Sequence, residues 1–352
     1  MTALEARIRS AWEGRISGCQ LGKPVEIISM MEGHDALRDY FARADCLPLR
    51  DYLPLVEGTS AERLRGCCRG ETTRAEADDD INYTVLALMM LEEHGRDLTT
   101  EDVGRAWLRN LPAGWVFTAE LVAYRTLLAN AGDSFSFGSP AGFDLALCSD
   151  HEYNDWIGAQ IRADLYGWVC PGNPALAAEL ARRDAALSHR ADGISGAMFV
   201  AALGAAIPDS TSLVEASKRA LAEIPAQGGA AEAVKLALSL LDDAQGDARI
   251  RKHFEGLSPV HTINNLALVV WSLLRNPDDF SAAIGEAVTA GLDTDCNGAT
   301  VGGLWGLQGK PIPETWTTPW RGCVQVTLAG QSELALDDLV RRTQHVARSI
   351  TG

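Results

Sequence analysis

Asp293-Thr294-Asp295-Cys296-Asn297-Gly298-Ala299-Thr300-Val301-Gly302-Gly303-Leu304-Trp305-Gly306 carries the reading of this chain. Two carboxylates open a run of helical composition. Behind them, glycines leave one face of that helix very thin. Such a face fits against another backbone, where side chains would keep the two apart. A second acidic cluster, Asp78-Asp79-Asp80, leads into another apolar helical run at 82–94, followed by Gly95 as its stop.

Working outward, the pattern stays helical. Leu4, Ile8 and Trp12 fall at helical spacing within 4–18. Further helices are expected at 99–110, 117–130, 174–187, 193–207, 211–223, 228–242, 261–275, 278–290 and 332–349. Pro174 sits in the first turn of its helix, where a missing N–H costs nothing. Ala and Leu dominate and β-branched runs are few, which favours helix over strand. Residues 27–77 are the least regular part and are expected as a lid or loop insertion. Residues 131–157, rich in Gly, Ser, Asp and Asn, are expected as loop. With no tandem repeat and no low-complexity linker, 1–352 is expected to form one compact all-α unit.

Composition removes several function classes. The chain has 352 residues, 47% of them hydrophobic, and a formal net charge of −16. No Lys/Arg stripe appears, so a nucleic-acid surface is not expected. The charged N-terminal stretch lacks the apolar core of a secretion signal. The apolar stretches at 197–207 and 266–274 are too short to span a bilayer and are expected as buried helices. Eight cysteines occur without a C-x-x-C pair, which argues against a zinc ribbon. A reduced cytoplasmic setting is the expectation.

The acidic clusters carry the chemistry. Five carboxylates brought to one cleft repel each other unless cations lie between them. Oxygen ligands of this kind suit Mg²⁺, Ca²⁺ or Mn²⁺ rather than Zn²⁺. The plain alternative is helix capping, which one Asp satisfies and three exceed. Asp293 and Asp295 share one turn, a common way to present oxygens to a cation. Glu26 follows the Gly-rich turn Gly18-Cys19-Gln20-Leu21-Gly22-Lys23-Pro24-Val25-Glu26. His189 and His261 sit at helix starts, where most histidines are structural. Tyr83, Trp107 and Trp115 read as core. Trp305 stands apart because it follows the second cluster.

Taken in order, these pieces resemble the ADP-ribosylglycohydrolase family. Gly18–Glu26 is similar to the family's G-D-A-L-G-x-P-x-E segment. Asp78-Asp79-Asp80-Ile81-Asn82-Tyr83-Thr84 resembles T-D-D-T-x-M-T, and Gly291-Leu292-Asp293-Thr294-Asp295-Cys296-Asn297-Gly298 resembles G-G-D-T-D-T-N-A. Leu187-Ser188-His189-Arg190 is similar to the central histidine segment. Three motifs in register across almost the whole chain are far more specific than any one.

The resemblance implies an all-α orthogonal helical bundle around two Mg²⁺ or Mn²⁺ ions. It implies metal ligands at Asp78, Asp79, Asp80, Asp293, Asp295 and Cys296, and catalytic roles for Glu26, Asp79 and Asp295. Substrate contacts would come from Tyr83, Gly158, His189, Asn297 and Trp305. The implied reaction is hydrolysis of the glycosidic bond of an ADP-ribosyl conjugate, with a metal-activated water attacking C1′ of the ribose. The partner would be an ADP-ribosylated protein or a small ribosyl compound.

Three departures matter. Asp78 stands where the family has Thr, Ile81 replaces the second Thr, and Cys296 replaces a Thr whose hydroxyl is a metal ligand. A neutral thiol is a poor Mg²⁺ ligand. The loop matching the family's diphosphate cradle, 154–162, has one Gly and a bulky Trp156. Two other readings follow: an N-glycosidase of a smaller nucleoside-like metabolite, or a non-catalytic ADP-ribose-binding relative.

Overall fold

The computed structural model describes residues 2–137 and 144–352. Its helices run α1 (Ala3–Gly22), α2 (His34–Ala44), α3 (Asp79–His94), α4 (Thr100–Asn110), α5 (Thr118–Phe137), α6 (Gly158–Ile161), α7 (Asp164–Trp168), α8 (Pro174–Ala185), α9 (Ala191–Ala206), α10 (Leu213–Leu221), α11 (Gly229–Ser239), α12 (Gly246–His253), α13 (Thr262–Arg275), α14 (Phe280–Ala290), α15 (Thr294–Gly306), α16 (Glu314–Thr317) and α17 (Leu336–Thr351). A short antiparallel hairpin pairs β1 (Cys323–Gln325) with β2 (Glu333–Ala335). The fold is the expected all-α one.

The centre of the bundle is the antiparallel pair α1 and α15. A Cβ at Gly14 would stand 2.1 Å from the carbonyl oxygen of Gly302, and one at Gly306 would stand 2.2 Å from that of Ser10. No side chain fits at these positions, so the thin face of α15 lies directly on the backbone of α1, as its glycines predict. The pairing brings the C-terminal end of α1 to the N-terminal end of α15. Around it, one continuous core runs from Ile8 to Ile350. Trp12 meets Trp168 edge-on at 5.1 Å, and its indole N–H donates to Thr343 Oγ1 at 3.0 Å. The C-terminal helix α17 is thereby fastened to α1.

The apolar helix α9 continues through a 3-10 turn to give a helical stretch over Ala191–Asp209, long and apolar enough by composition to cross a membrane. The expectation that this region is too short was therefore wrong in length. Its burial was read correctly: α9 packs against α6, α7, α8 and α10 in the core.

Four regions differ from the expected pattern. The irregular segment 27–77 contains α2, which buries Leu37, Tyr40 and Phe41 on one face. The segment is anchored further on, where Tyr52 Oη donates to the Trp316 carbonyl at 2.7 Å. Helix α5 continues to Phe137 inside the expected loop 131–157, and 138–143 lie outside the described residues. Helix α6 falls at Gly158–Ile161, inside the expected phosphate loop 154–162, and α7 follows it directly. Finally, the β1–β2 hairpin has strands of three residues, too short for a period-two signal. Its edge serves the site: the Ala75 N–H donates to the Cys323 carbonyl and the Gln325 N–H to the Ala75 carbonyl, each at 2.9 Å. This holds the chain just before Asp78.

Candidate active site

The acidic clusters meet where α1 ends and α15 begins. Thr294 Oγ1 donates to the Gly22 carbonyl at 2.9 Å, closing the seam between the two helices. Gly291 (φ 82°) and Leu292 (φ 63°) are both left-handed and swing the chain sharply into Asp293. A non-glycine residue held there costs roughly 1 kcal/mol or more, and such positions cluster at functional sites. Asn265 on α13 fixes the turn. Its Oδ1 accepts from the Asp293 N–H at 3.2 Å and from Asn297 Nδ2 at 2.8 Å. As a result, Glu26, Asp293 and Asp295 each place a carboxylate oxygen within 4.8 Å of the others.

The start of α3 supplies the second half. Asp78 is the N-cap, and its Oδ1 accepts from the Asp80 N–H at 3.0 Å. Its other oxygen lies 2.7 Å from Lys23 Nζ, which also donates to the Ala77 carbonyl. Asp80 is paired as well: Arg15 reaches it at 3.0 Å and Asp164 at 2.8 Å, all three side chains fully buried. Asp79, between them, is half-buried and faces the cavity. So three consecutive aspartates have three different settings.

Electrostatics follows from burial. Burial and the neighbouring carboxylates push Glu26, Asp79 and Asp295 well above the ordinary carboxylate range. Burial also raises Asp293, and raises Asp80 despite Arg15. Asp78 goes the other way: burial raises it, but Lys23 outweighs that and holds it low. Burial and the acids around it raise the Cys296 thiol, so it stays neutral.

Among the described residues, three buried carboxylate oxygens of the two acidic clusters have no hydrogen-bond partner: Asp80 Oδ2, Asp293 Oδ1 and Asp295 Oδ1. Orphaned charged oxygens at 0–4% exposure are costly unless a cation or protons meet them. With Glu26 beside them, they form an oxygen-rich set suited to Mg²⁺ or Mn²⁺.

A cavity of about 1120 Å³ opens onto these acids. Glu26, Asp78, Asp79, Asp293, Asp295 and Cys296 line its floor, and Trp156, Gly158 and Glu120 form part of its wall. Trp115 and Phe117 on the wall are 42% and 57% exposed, so the mouth is aromatic. The segment 27–77 contributes Met30, Met31, Arg63 and Arg65.

Of the five residues expected to touch substrate, only Gly158 lines this cavity. A Cβ there would come within 2.2 Å of Glu120 Oε1, so the glycine makes room for that carboxylate. Trp305 is 3% exposed, packs on Phe280 and donates its indole N–H to Asn276, because ten residues of helix carry it away from Asp295. Asn297 faces inward onto Asn265. Tyr83 is buried beneath Arg162, whose guanidinium lies 6.0 Å from the ring centroid. His189 is fully buried against Ser188, and burial together with Arg162 keeps its imidazole neutral.

Lys23, Arg15 and Glu120 were missed. Lys23 lay in plain view inside Gly22-Lys23-Pro24, but a lysine in a loop reads as solvated. Arg15 and Glu120 sit within helical runs where nothing marks them as buried. Arg162, the one base in the altered loop 154–162, is 2% exposed and held by Glu120 at 2.6 Å and Asp184 at 2.8 Å.

No curated protein matches the chain. Among solved structures, a chain described as an ADP-ribosylglycohydrolase-related protein complex is similar in fold, with a TM-score of 0.57 and 19% identity. The match covers 99% of this chain and 100% of that one. The family model described as ADP-ribosylglycohydrolase matches residues 1–348, the span that holds both acidic clusters and the cavity between them. This chain belongs to the ADP-ribosylglycohydrolase family.

Proposed function

We propose that this protein is a divalent-metal-dependent hydrolase that cleaves the glycosidic bond at C1′ of an ADP-ribosyl conjugate. The observation that carries the reading is the convergence of Glu26, Asp293 and Asp295 on the floor of a cavity large enough for a nucleotide-sized ligand. Glu26, Asp293 and Asp295 would hold the ion. A bound Mg²⁺ or Mn²⁺ supplies Lewis-acid charge and lowers the pKa of water in the site.

The chain's own groups do the rest. Asp79 faces the cavity and is placed to stabilise positive charge developing at C1′ as the bond breaks. Glu26, with its pKa raised, is suited to carry a proton between water and leaving group near neutral pH. The aromatic mouth at Trp115 and Phe117 gives a base or a leaving group an apolar surface and limits water. The rims at 27–31 and 63–67 would act as the lid. The protein would act in the cytoplasm on an ADP-ribosylated protein or a small ribosyl compound.

A second reading, a smaller and less charged riboside as substrate, is favoured by Arg162. With its guanidinium held by Glu120 and Asp184, the loop that would cradle a diphosphate offers no cation to it. Calorimetric titration of Mn²⁺-loaded protein with ADP-ribose and with plain nucleosides decides between them. Tight binding of ADP-ribose supports the conjugate; binding of nucleosides alone supports the smaller substrate. Binding of neither, with no release of ribose or ADP-ribose from arginine- or serine-linked conjugates, would sink both.

A further inference from the structure

We propose that the ammonium of Lys23 takes the place of one of two divalent cations, so that the site holds a single divalent ion. This rests on the metal-dependent reading above and narrows it. It is carried by the way the two halves of the acidic cluster are already filled.

Two of the three aspartates at the start of α3 already hold a built-in cation. Asp78 uses one oxygen as the helix cap, bonded to the Asp80 N–H at 3.0 Å, and the other on Lys23 Nζ at 2.7 Å. Asp80 spends one oxygen on Arg15 at 3.0 Å; its Oδ2 has no hydrogen-bond partner among the described residues, and Asp80 also groups with Asp295 and Cys296 on the side of the other half. A divalent ion bound here would sit about 2.1 Å from an Asp78 oxygen, on the atom that already faces the ammonium. Two cations sharing one buried oxygen repel strongly at low dielectric. Nor does sulfur help. Beside Asp79 and Asp80, the donors grouped here are Cys19 and Cys296, and both are buried neutral thiols, which hard cations avoid.

The other half has the opposite character. Glu26, Asp293 and Asp295 present only oxygens, clustered within 4.8 Å, and among the described residues no lysine or arginine forms a salt bridge with any of them. Asp293 Oδ1 and Asp295 Oδ1 are orphaned while their residues are 4% and 2% exposed. That is where an external cation is required. Lys23 stands only three residues from Glu26, so one turn of chain delivers a built-in charge to one half and a ligand to the other.

Asp78 and Lys23 therefore work as a pair. Where the family pattern has a hydroxyl at this position, the chain has an added anion and a cation matched to it. The added pair is neutral in sum, and it leaves neither Asp78 oxygen free for a divalent ion.

The test is Mn²⁺ stoichiometry, read by equilibrium dialysis with metal analysis and by electron paramagnetic resonance of the bound ion. The natural chain is expected to bind one Mn²⁺ and to give the hyperfine pattern of an isolated ion. Lys23→Met, which keeps the chain length but removes the charge, is expected to bind two, with the broadened spectrum of a coupled pair. If Lys23→Met does not fold, Lys23→Met combined with Asp78→Thr removes both charges and is expected to bind two. Two ions in the natural chain would overturn the lysine assignment while leaving the metal-dependent function intact. One ion in the folded variants would overturn it as well. No ion in the natural chain would instead remove the metal-dependent reading itself.

Discussion

Gly18 and Gly298 lie backbone on backbone: a Cβ at residue 18 would stand 1.9 Å from the carbonyl oxygen of Gly298. The clash is with main chain, which has no rotamer to move into. Gly18→Ala must separate α1 from α15 and with them Glu26 from Asp293. Overpacking alone costs about 1–3 kcal/mol, and a main-chain clash lies at the top of that range. The expected outcome is a lower melting temperature together with lost Mn²⁺ binding, measured by calorimetry. Wild-type stability in Gly18→Ala would mean that the seam is looser than described.

Asp293→Asn should abolish turnover, by at least 100-fold, while the helical circular-dichroism signal stays nearly intact. The loss expresses removal of an oxygen ligand from an already formed floor, since the turn is held by Asn265 through the backbone N–H. Asp79→Asn should behave likewise, because among the described residues this half-buried side chain is not part of an ion pair. Activity surviving both changes would show that chemistry occurs elsewhere.

Glu26→Gln separates proton transfer from binding. The amide keeps the shape and one oxygen donor but cannot carry a proton. The expected result is a kcat lowered by about 100-fold, within the usual range for a general acid or base, with KM changed far less. An unchanged kcat would take Glu26 out of the reaction.

Arg15 is structural. It joins Asp80 on α3 to Asp164 on α7 with all three side chains at 0% exposure. Removing one member of a buried ionic group costs about 3–5 kcal/mol, because the partners are left uncompensated. Arg15→Met should therefore lose stability on that scale in denaturant titration. A loss below about 1 kcal/mol would indicate that water or protons replace the guanidinium readily.

Stability should depend on pH in a direction set by the raised carboxyls. Glu26, Asp79, Asp80 and Asp295 hold protons more tightly folded than unfolded, and burial pushes Asp164 up to about 6, against the pull of Arg15. Their contribution favours folding below the ordinary carboxylate value of about 4 and is lost as pH rises through the raised values. Asp78 contributes oppositely, with stability present above about 4 and lost only as pH falls through its lowered value. The metal-free protein should thus melt at lower temperature at about pH 8 than at about pH 5. Mn²⁺ should raise the melting temperature more at about pH 8, since it competes with those protons. An equal Mn²⁺ shift at both pH values would show that the carboxyls are not its ligands.

The helical class and the two acidic ends of the site were legible because both are local. Gly298, Gly302 and Gly306 repeat on one helix face, and Asp78–Asp80 and Asp293–Asp295 each fall within a few residues. The partners of these groups were not legible. Nothing near Asp78 in sequence announces Lys23, fifty-five residues earlier, nor does Asp80 announce Arg15. The failures at Trp305, Asn297, Tyr83 and His189 share a cause. Closeness to a motif along the chain is not closeness to the cavity, since a helix rotates successive side chains by about 100°, toward the core as often as toward a ligand. Helix α2 was hidden because a single amphipathic stretch of eleven residues lay among prolines and glycines.

The bond from Thr294 to the Gly22 carbonyl spans 272 positions of chain. During synthesis, the N-terminal helix is finished long before α15, the helix its glycines lie against, leaves the ribosome. Until then its glycine face stays bare, and no metal floor exists to be loaded. Contacts this far apart in sequence slow folding and expose intermediates. A nascent or truncated chain ending before α15 should therefore engage holding chaperones and bind no Mn²⁺, which makes metal capture a late marker of successful biogenesis.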